Sequence, residues 1–233
     1  MFRKIPWASP AILCLGWLAF LPSAYAQDRP AADPFVAVVA RVTPPVLLQR
    51  AGADALSPLK QDDRLYPGDR VATQEGGHAS IIFADNAVEL KLIPNTELTI
   101  QGQRGSGGIV KRIYMEIGRL LTRVLEGEME VVTPSCVASV KGTQWWTTVD
   151  RAQMTQVIVL EGEVMVENRS SGAVNLVSAG NTATSSPTGG QTVAPTQAQE
   201  IPQEPPGTDQ GSLQIEFEND SGQSKTLYID FDR

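Results

Sequence analysis

Residues 133–166 read TPSCVASVKGTQWWTTVDRAQMTQVIVLEGEVMV. Two runs rich in β-branched and aromatic residues flank the polar connection Asp150–Ala152, and glycine bounds each run. A strand over Val137–Val140 meets a Lys141-Gly142-Thr143 corner, continues from Trp145 to Val149 and returns along Met154–Leu160. The return ends at Glu161-Gly162-Glu163, and another strand begins at Val164. Short strands separated by glycine-marked turns are the signature of layered antiparallel or solenoidal β structure.

The same rhythm extends upstream. Phe35–Val42 reads as a first strand, broken by Pro44-Pro45 before Val46–Leu48, and residues 49–64 are polar and read as loop. After the turn Tyr66-Pro67-Gly68-Asp69 come short strands over Arg70–Thr73, His78–Phe83, Ala87–Leu92 and Glu97–Gln101. Between them lie Glu75-Gly76-Gly77, Asp85-Asn86 and Pro94-Asn95, where Gly and Asn tolerate positive φ and Pro pre-sets it for a turn. Ile109–Ile117, Leu120–Leu125 and Met129–Val132 follow, punctuated by Gly118 and Gly127. Leu125-Glu126-Gly127-Glu128 recurs as Leu160-Glu161-Gly162-Glu163, each followed by an apolar alternation, so one corner is expected to be used twice. A single recurrence falls short of a solenoid repeat. The expected fold is all-β, a twisted β-sandwich or short β-solenoid of many short strands over 35–182.

Downstream, residues 183–211 are rich in Ser, Pro, Thr, Gly and Gln, with Ile201 the one large apolar side chain after Val193. Such a stretch buries too little surface to offset chain entropy and is expected to be a disordered linker. Over 212–233, Leu213, Ile215 and Phe217 alternate with polar residues, then Leu227, Ile229 and Phe231 do so again. This predicts a terminal hairpin with one apolar face. Hairpins are marginal alone in water, so the face needs a sheet edge of its own domain or a partner.

The chain has 233 residues and a formal charge of −7. Arg3 and Lys4 precede the apolar run Ala11–Phe20, and Ala24-Tyr25-Ala26 fits a small-x-small cleavage site, so residues 1–26 read as a signal peptide. A retained anchor is disfavoured by the short run and by Pro22, and lipidation at Cys14 by the large residues before it. Cleavage after Ala26 leaves 17 Lys and Arg against 26 Asp and Glu, a charge of −9. That balance disfavours nucleic acid and anionic lipid, whose binding depends on neutralising cations. The expected location is periplasmic or secreted, with no membrane insertion after cleavage. Cys136 would be the single remaining cysteine, which excludes an internal disulfide and reads as a buried, inert thiol.

Residues that could carry chemistry are few. Glu126 with Glu128, and Glu161 with Glu163, invite an acid–base reading, but each pair brackets a glycine corner where carboxylates are normally solvated. His78 is the single histidine and has no Cys or His partner in sequence, so no metal site is expected. Ser135 and Ser139 lack a histidine nearby, and Gly105-Ser106-Gly107-Gly108 lacks the lysine ending of a phosphate loop. No catalytic residue, cofactor or metal follows from the sequence.

The order of motifs is more specific. Gly68-Asp69-Arg70-Val71-Ala72-Thr73 is followed by Ala79–Asp85, by Leu90-Lys91-Leu92 with Asn95-Thr96-Glu97-Leu98, and by Ile117-Gly118-Arg119-Leu120. Then come Thr133-Pro134, the run Ala138-Ser139-Val140-Lys141-Gly142-Thr143-Gln144-Trp145, the element Gly162–Val166 and a final Ala179-Gly180. In this order the chain from about Phe35 to Thr182 resembles the FecR domain, an extracytoplasmic bacterial module. The resemblance implies an all-β element for sensing or protein contact. It makes Gly68, Asp69, Pro134, Gly142, Thr143, Trp145, Gly162 and Gly180 structural, with Trp145 at the buried aromatic position. The best-known members are anti-sigma regulators that also carry a cytoplasmic helical segment and a membrane span. Those elements are not recognised here, so a stand-alone exported domain is expected.

Strand alternation sets Trp146 on the face opposite Trp145. It then either packs beneath a loop or the terminal hairpin, or stands exposed as an anchor for a partner. Trp146, Phe217 and Phe231 are the candidate contact residues. The function expected is non-enzymatic recognition of a protein or cell-wall ligand. The alternative is a structural envelope protein assembled through its hairpin. The ligand and the oligomeric state are left open.

Overall fold

The computed structural model describes residues 35–85, 87–103 and 108–204, with the backbone alone for 104–105, 211–218 and 224–231. The expected signal segment over 1–26 lies outside the described residues. Strands β1 Ala37–Thr43, β2 Val46–Gln49, β3 Leu56–Pro58, β4 Arg64–Leu65 and β5 Arg70–Thr73 open the fold. There follow β6 His78–Phe83, β7 Val88–Leu92, β8 Glu97–Ile100, β9 Gln103–Gly105 and the long β10 Gly108–Val124. The chain continues through β11 Glu128–Val132, β12 Cys136–Lys141, β13 Gln144–Val149, β14 Thr155–Glu161, β15 Glu163–Asn168 and β16 Val174–Ser178. The last strands are β17 Asn181–Ser185, β18 Gln191–Pro195 and a separate hairpin, β19 Gly211–Glu218 with β20 Ser224–Phe231.

These strands form one 18-stranded sheet folded over on itself, with the hairpin as a second, two-stranded sheet. The front layer runs β4, β1, β6, β7, the second half of β10, β13, β14, β17, β18. The rear layer runs β3, β2, β5, β8, the first half of β10, β11, β12, β15, β16. The pairings are antiparallel except β10 with β11. A single core fills the space between the layers. Ile81, Leu90, Leu120, Trp145 and Val157 come from the front, and Leu48, Val71, Leu98, Ile113 and Val164 from the rear, all at most 2% exposed. Each such side chain contributes about 1.5–3 kcal/mol relative to leaving it in water.

Hairpins alternate between layers, which unites the sandwich and solenoid expectations. β11 and β12 lie in the rear layer, β13 and β14 in front, β15 and β16 behind, β17 and β18 in front. The two L-E-G-E segments are the same corner, as expected. Leu125–Gly127 carries the chain from the front half of β10 to rear β11, and Glu161–Gly162 carries it from front β14 to rear β15. Gly127 and Gly162 both sit at positive φ, +83° and +75°.

The separate strands expected on either side of Gly118 are one strand. β10 spans 17 residues and belongs to the rear layer before Gly118 and to the front layer after it. Gly118 has φ +109°, and a Cβ there would stand 2.4 Å from Thr96 Cα. The Thr96 hydroxyl donates to Arg119 O and accepts from Arg119 N, both at 2.9 Å, and this fixes the bend. A glycine in a strand pattern marks close backbone approach or a sharp bend as readily as a strand end.

The linker expected over 183–211 is also corrected over its described part, 183–204; residues 205–210 lie outside the described residues. Asn181–Ser185 and Gln191–Pro195 are strands of the front layer, and a 3-10 turn follows at Ala198–Glu200. Polarity misled here because β17 buries small side chains, Thr182, Ala183 and Ser185, at 5% exposure or less. Beyond them β18 needs no large apolar residue, since it lies at a sheet edge. The loop expected over 49–64 holds the short strands β3 and β4. The hairpin strands fall where the terminal alternation places them.

Candidate functional site

The motif residues build the frame. Gly68 has φ +91° and donates its N–H to Ile100 O at 2.7 Å. Asp69, 1% exposed, accepts from Arg50 Nη1 at 2.6 Å and from the Ala51 and Tyr66 amides at 3.1 and 3.0 Å. It therefore holds the 50–52 turn against the 66–69 turn. Asp69→Ala would strand two backbone donors and a guanidinium, and we expect a loss of about 3 kcal/mol, read as a lower urea midpoint. A change below about 0.5 kcal/mol would show that solvent replaces the carboxylate.

The Gly142 and Gly162 corners pack together. A Cβ on Gly162 would meet Gly142 O at 2.9 Å and Thr143 Oγ1 at 3.3 Å, while Thr143 Oγ1 donates to Glu163 O at 3.1 Å. Gly180, at φ +82°, turns the chain from β16 to β17. Pro134 lies in the Thr133–Cys136 turn, where the Thr133 hydroxyl accepts from Cys136 N at 3.0 Å. Cys136 is fully buried, and desolvation pushes its thiol pKa up, which fits an inert role. Glu128 pairs with Lys141 at 2.6 Å across an exposed corner, and Glu163 accepts from the Ser178 hydroxyl at 3.1 Å. Glu126, Glu128, Glu161 and Glu163 are all exposed, as expected of carboxylates beside a glycine corner. Among the described residues no group of three or more His, Cys, Asp and Glu is placed to hold a metal.

Trp145 is fully buried in the core and donates its indole N–H to Thr147 Oγ1 at 3.0 Å. Trp146 is 1% exposed, on the outer face of the front layer, packed with Ile93, Leu121 and Ile158. The exposed-anchor reading of Trp146 is thereby overturned: the side chain does face away from the core, but it is buried within a second small cluster. Phe217 pairs with Lys225, and Phe231 with Gly211, in the hairpin register. Their side chains lie outside the described residues.

An exposed candidate surface lies elsewhere, at the open edge of the rear layer. Among the described residues β16 pairs with β15 alone, with Leu176 opposite Met165 and Val174 opposite Glu167. On the outer face Leu176 is 63% exposed, Val174 54% and Met165 46%. The sequence pointed to none of these, because burial at a sheet edge depends on which strand ends the layer. Edges normally carry a device that blocks further pairing. β3, at the opposite end of the rear layer, ends in Pro58, and β18 ends in Pro195. β16, Val-Asn-Leu-Val-Ser, has neither a proline nor a charge.

The family described as FecR protein matches residues 69–165. No curated protein matches the chain. Two crystal structures of a candidate anti-sigma factor from Parabacteroides distasonis resemble it, each with a TM-score of 0.48, at 17% and 16% identity. Each match covers 56% of this chain and 61% of the other.

Proposed function

We propose that the protein, whose residues 69–165 match the family described as FecR protein, is a signalling-related, non-enzymatic recognition module acting outside the cytoplasm. Its ligand is a protein or cell-envelope component, engaged by adding an extended segment to β16. One observation carries this reading: β16 is an unprotected edge strand whose outer side chains, Val174 and Leu176, are apolar and more than half exposed. Main-chain hydrogen bonds supply affinity in such strand addition, and alternate side chains supply specificity. The signal-like residues 1–26 support the location, and the acidic surface favours a ligand that is not itself anionic.

The test is capture from an envelope fraction with the protein and with Leu176→Lys, a charge placed on the edge strand. Wild type is expected to retain a partner, and the variant to lose at least about tenfold of the capture, at unchanged thermal stability. Equal capture by both would exclude the edge. Capture that is instead lost on deleting 211–233 would move recognition to the terminal hairpin.

A further inference from the structure

A row of side chains crosses the outer face of the front layer. Lys91 stands opposite Leu121, Leu121 opposite Trp146, Trp146 opposite Ile158, and Ile158 opposite Thr182. Cross-strand partners share a face. Every member of this row is 6% exposed or less. An outer face of this kind would be wet unless something lay over it.

The segment after β18 is anchored at both ends of the row. Thr196 Oγ1 lies 2.9 Å from Thr182 Oγ1, and Glu204 Oε2 accepts from Lys91 Nζ at 2.8 Å. Four strand spacings separate Thr182 from Lys91, about 19 Å at roughly 4.8 Å each. Residues 196–204 reach about 26 Å when extended, and the 3-10 turn at Ala198–Glu200 takes up the slack. Toward its end the segment alternates, Glu200, Pro202 and Glu204 half-buried and Ile201 and Gln203 exposed. Its backbone starts from the end of the β17–β18 ladder, where the Thr196 N–H donates to Gly180 O at 2.8 Å, and residues 197–204 belong to no strand of the sheet. It is a strap, held at its start by the Thr196 amide and hydroxyl and at its end by Glu204, with Pro202 half-buried between them.

We propose that the Lys91–Leu121–Trp146–Ile158 row is a peptide-binding groove that the chain closes in cis with residues 196–204, and that its partner in trans is an extended, acidic, proline-containing segment. The strap itself displays the matching chemistry. Its sequence from Ile201 is Ile-Pro-Gln-Glu-Pro-Pro, a spacing of prolines that favours the preformed polyproline conformation. Such segments dock on grooves lined by aromatic residues. Lys91, 8% exposed in its side chain, is a largely desolvated cation that calls for a carboxylate at one end of the groove. This site is distinct from the β16 edge, which belongs to the other layer.

The experiment uses the chain from Gln27 to Arg233, in which Trp145 and Trp146 are the two tryptophans. Glu204→Lys combined with Pro202→Asp sets like charge against Lys91 and a carboxylate over the apolar row. Acrylamide quenching of tryptophan fluorescence is expected to rise at least about twofold, since Trp146 becomes accessible while Trp145 stays in the core. A synthetic peptide of residues 196–206 is then expected to bind the double variant, restore the low quenching, and leave wild type unaffected. The same peptide with lysine at the position of Glu204 is expected to bind at least about tenfold more weakly. Quenching unchanged from wild type would overturn the strap. Exposed Trp146 with no peptide binding, or a cooperative loss of β structure by circular dichroism, would overturn the groove and make the segment part of the core. These readouts use purified protein and peptide alone, so they stand whether or not the β16 edge captures a partner.

Discussion

Gly118→Ala is expected to lower stability by about 4 kcal/mol or more, enough to leave much of the protein unfolded at ambient temperature. Two costs combine. The backbone at φ +109° is a region that L side chains rarely adopt, which costs about 1–3 kcal/mol. The added Cβ would also lie 2.4 Å from Thr96 Cα, 2.5 Å from Thr96 Oγ1 and 2.6 Å from Asn95 O, and two of these are backbone atoms that cannot rotate away. Relieving the contact means moving the Pro94–Asn95 turn off β10, which breaks the paired hydrogen bonds between the Thr96 hydroxyl and Arg119. Urea unfolding checks this, and a loss of less than about 1 kcal/mol would show that the layers do not turn at Gly118. Gly142→Ala is the contrast: its φ is +72° but nothing lies within 4 Å of a Cβ there, so only the backbone cost applies.

Trp146→Ala is expected to cost about 3–5 kcal/mol, close to the effect of Trp145→Ala, although the two side chains point to opposite faces of β13. Both are essentially removed from water, and the loss of a large aromatic side chain leaves a cavity whose walls relax only in part. The two variants differ in what they disturb. Trp145 lies among residues of both layers, whereas Trp146 lies among Ile93, Leu121 and Ile158 of the front layer beneath the strap. Loss of Trp146 should therefore free the 196–204 segment to proteolysis as well as lowering the urea midpoint. A stability change below about 1 kcal/mol would mean that Trp146 is solvated and would restore the reading of it as an exposed anchor.

Much of this architecture was legible because short β strands announce their own ends. The corners at Gly127, Gly142 and Gly162 were recognisable from glycine beside polar residues, and each proved to require positive φ. Trp145 was placed correctly by the alternation of β13 together with the family resemblance. What escaped depends on distant chain. Gly118 looks like a strand end, but its role is set by Thr96, which packs against it from the neighbouring turn. Residues 183–204 look disordered by composition, yet Ala183 and Ser185 need little apolar surface of their own because β14 and the core supply it. Trp146 belongs to a row assembled from five strands, and no local pattern records that row. The exposed edge at Val174 and Leu176 was invisible for a similar reason. Apolar alternation signals a strand but does not say whether another strand follows beside it.

Charge supports the same division of roles. The buried lysines each meet a carboxylate: Lys91 meets Glu204, and Lys111 meets Asp85 at 2.7 Å. Arg70 bridges Glu97 and Glu116 on the rear layer, and Arg112 pairs with Glu130 at 2.8 Å. On the outer face beside β16 the exposed carboxylates Glu163 and Glu167 frame Met165, Val174 and Leu176, while the exposed Arg169 lies in the turn that joins β15 to β16. An apolar strip with an acidic rim suits a strand that carries apolar side chains on one face and cations at its margins.

The most direct measurement places a photo-activated cross-linking side chain at Leu176, and in a second protein at Leu56 on the opposite edge of the rear layer, in bacterial cells that produce the full chain. Leu56 is 61% exposed and Leu176 63%, so accessibility is matched and only the edge differs. The account predicts a discrete adduct with one envelope component from position 176 and none from position 56. Identical adducts from both positions, or none from 176 while the protein is folded and exported, would contradict it.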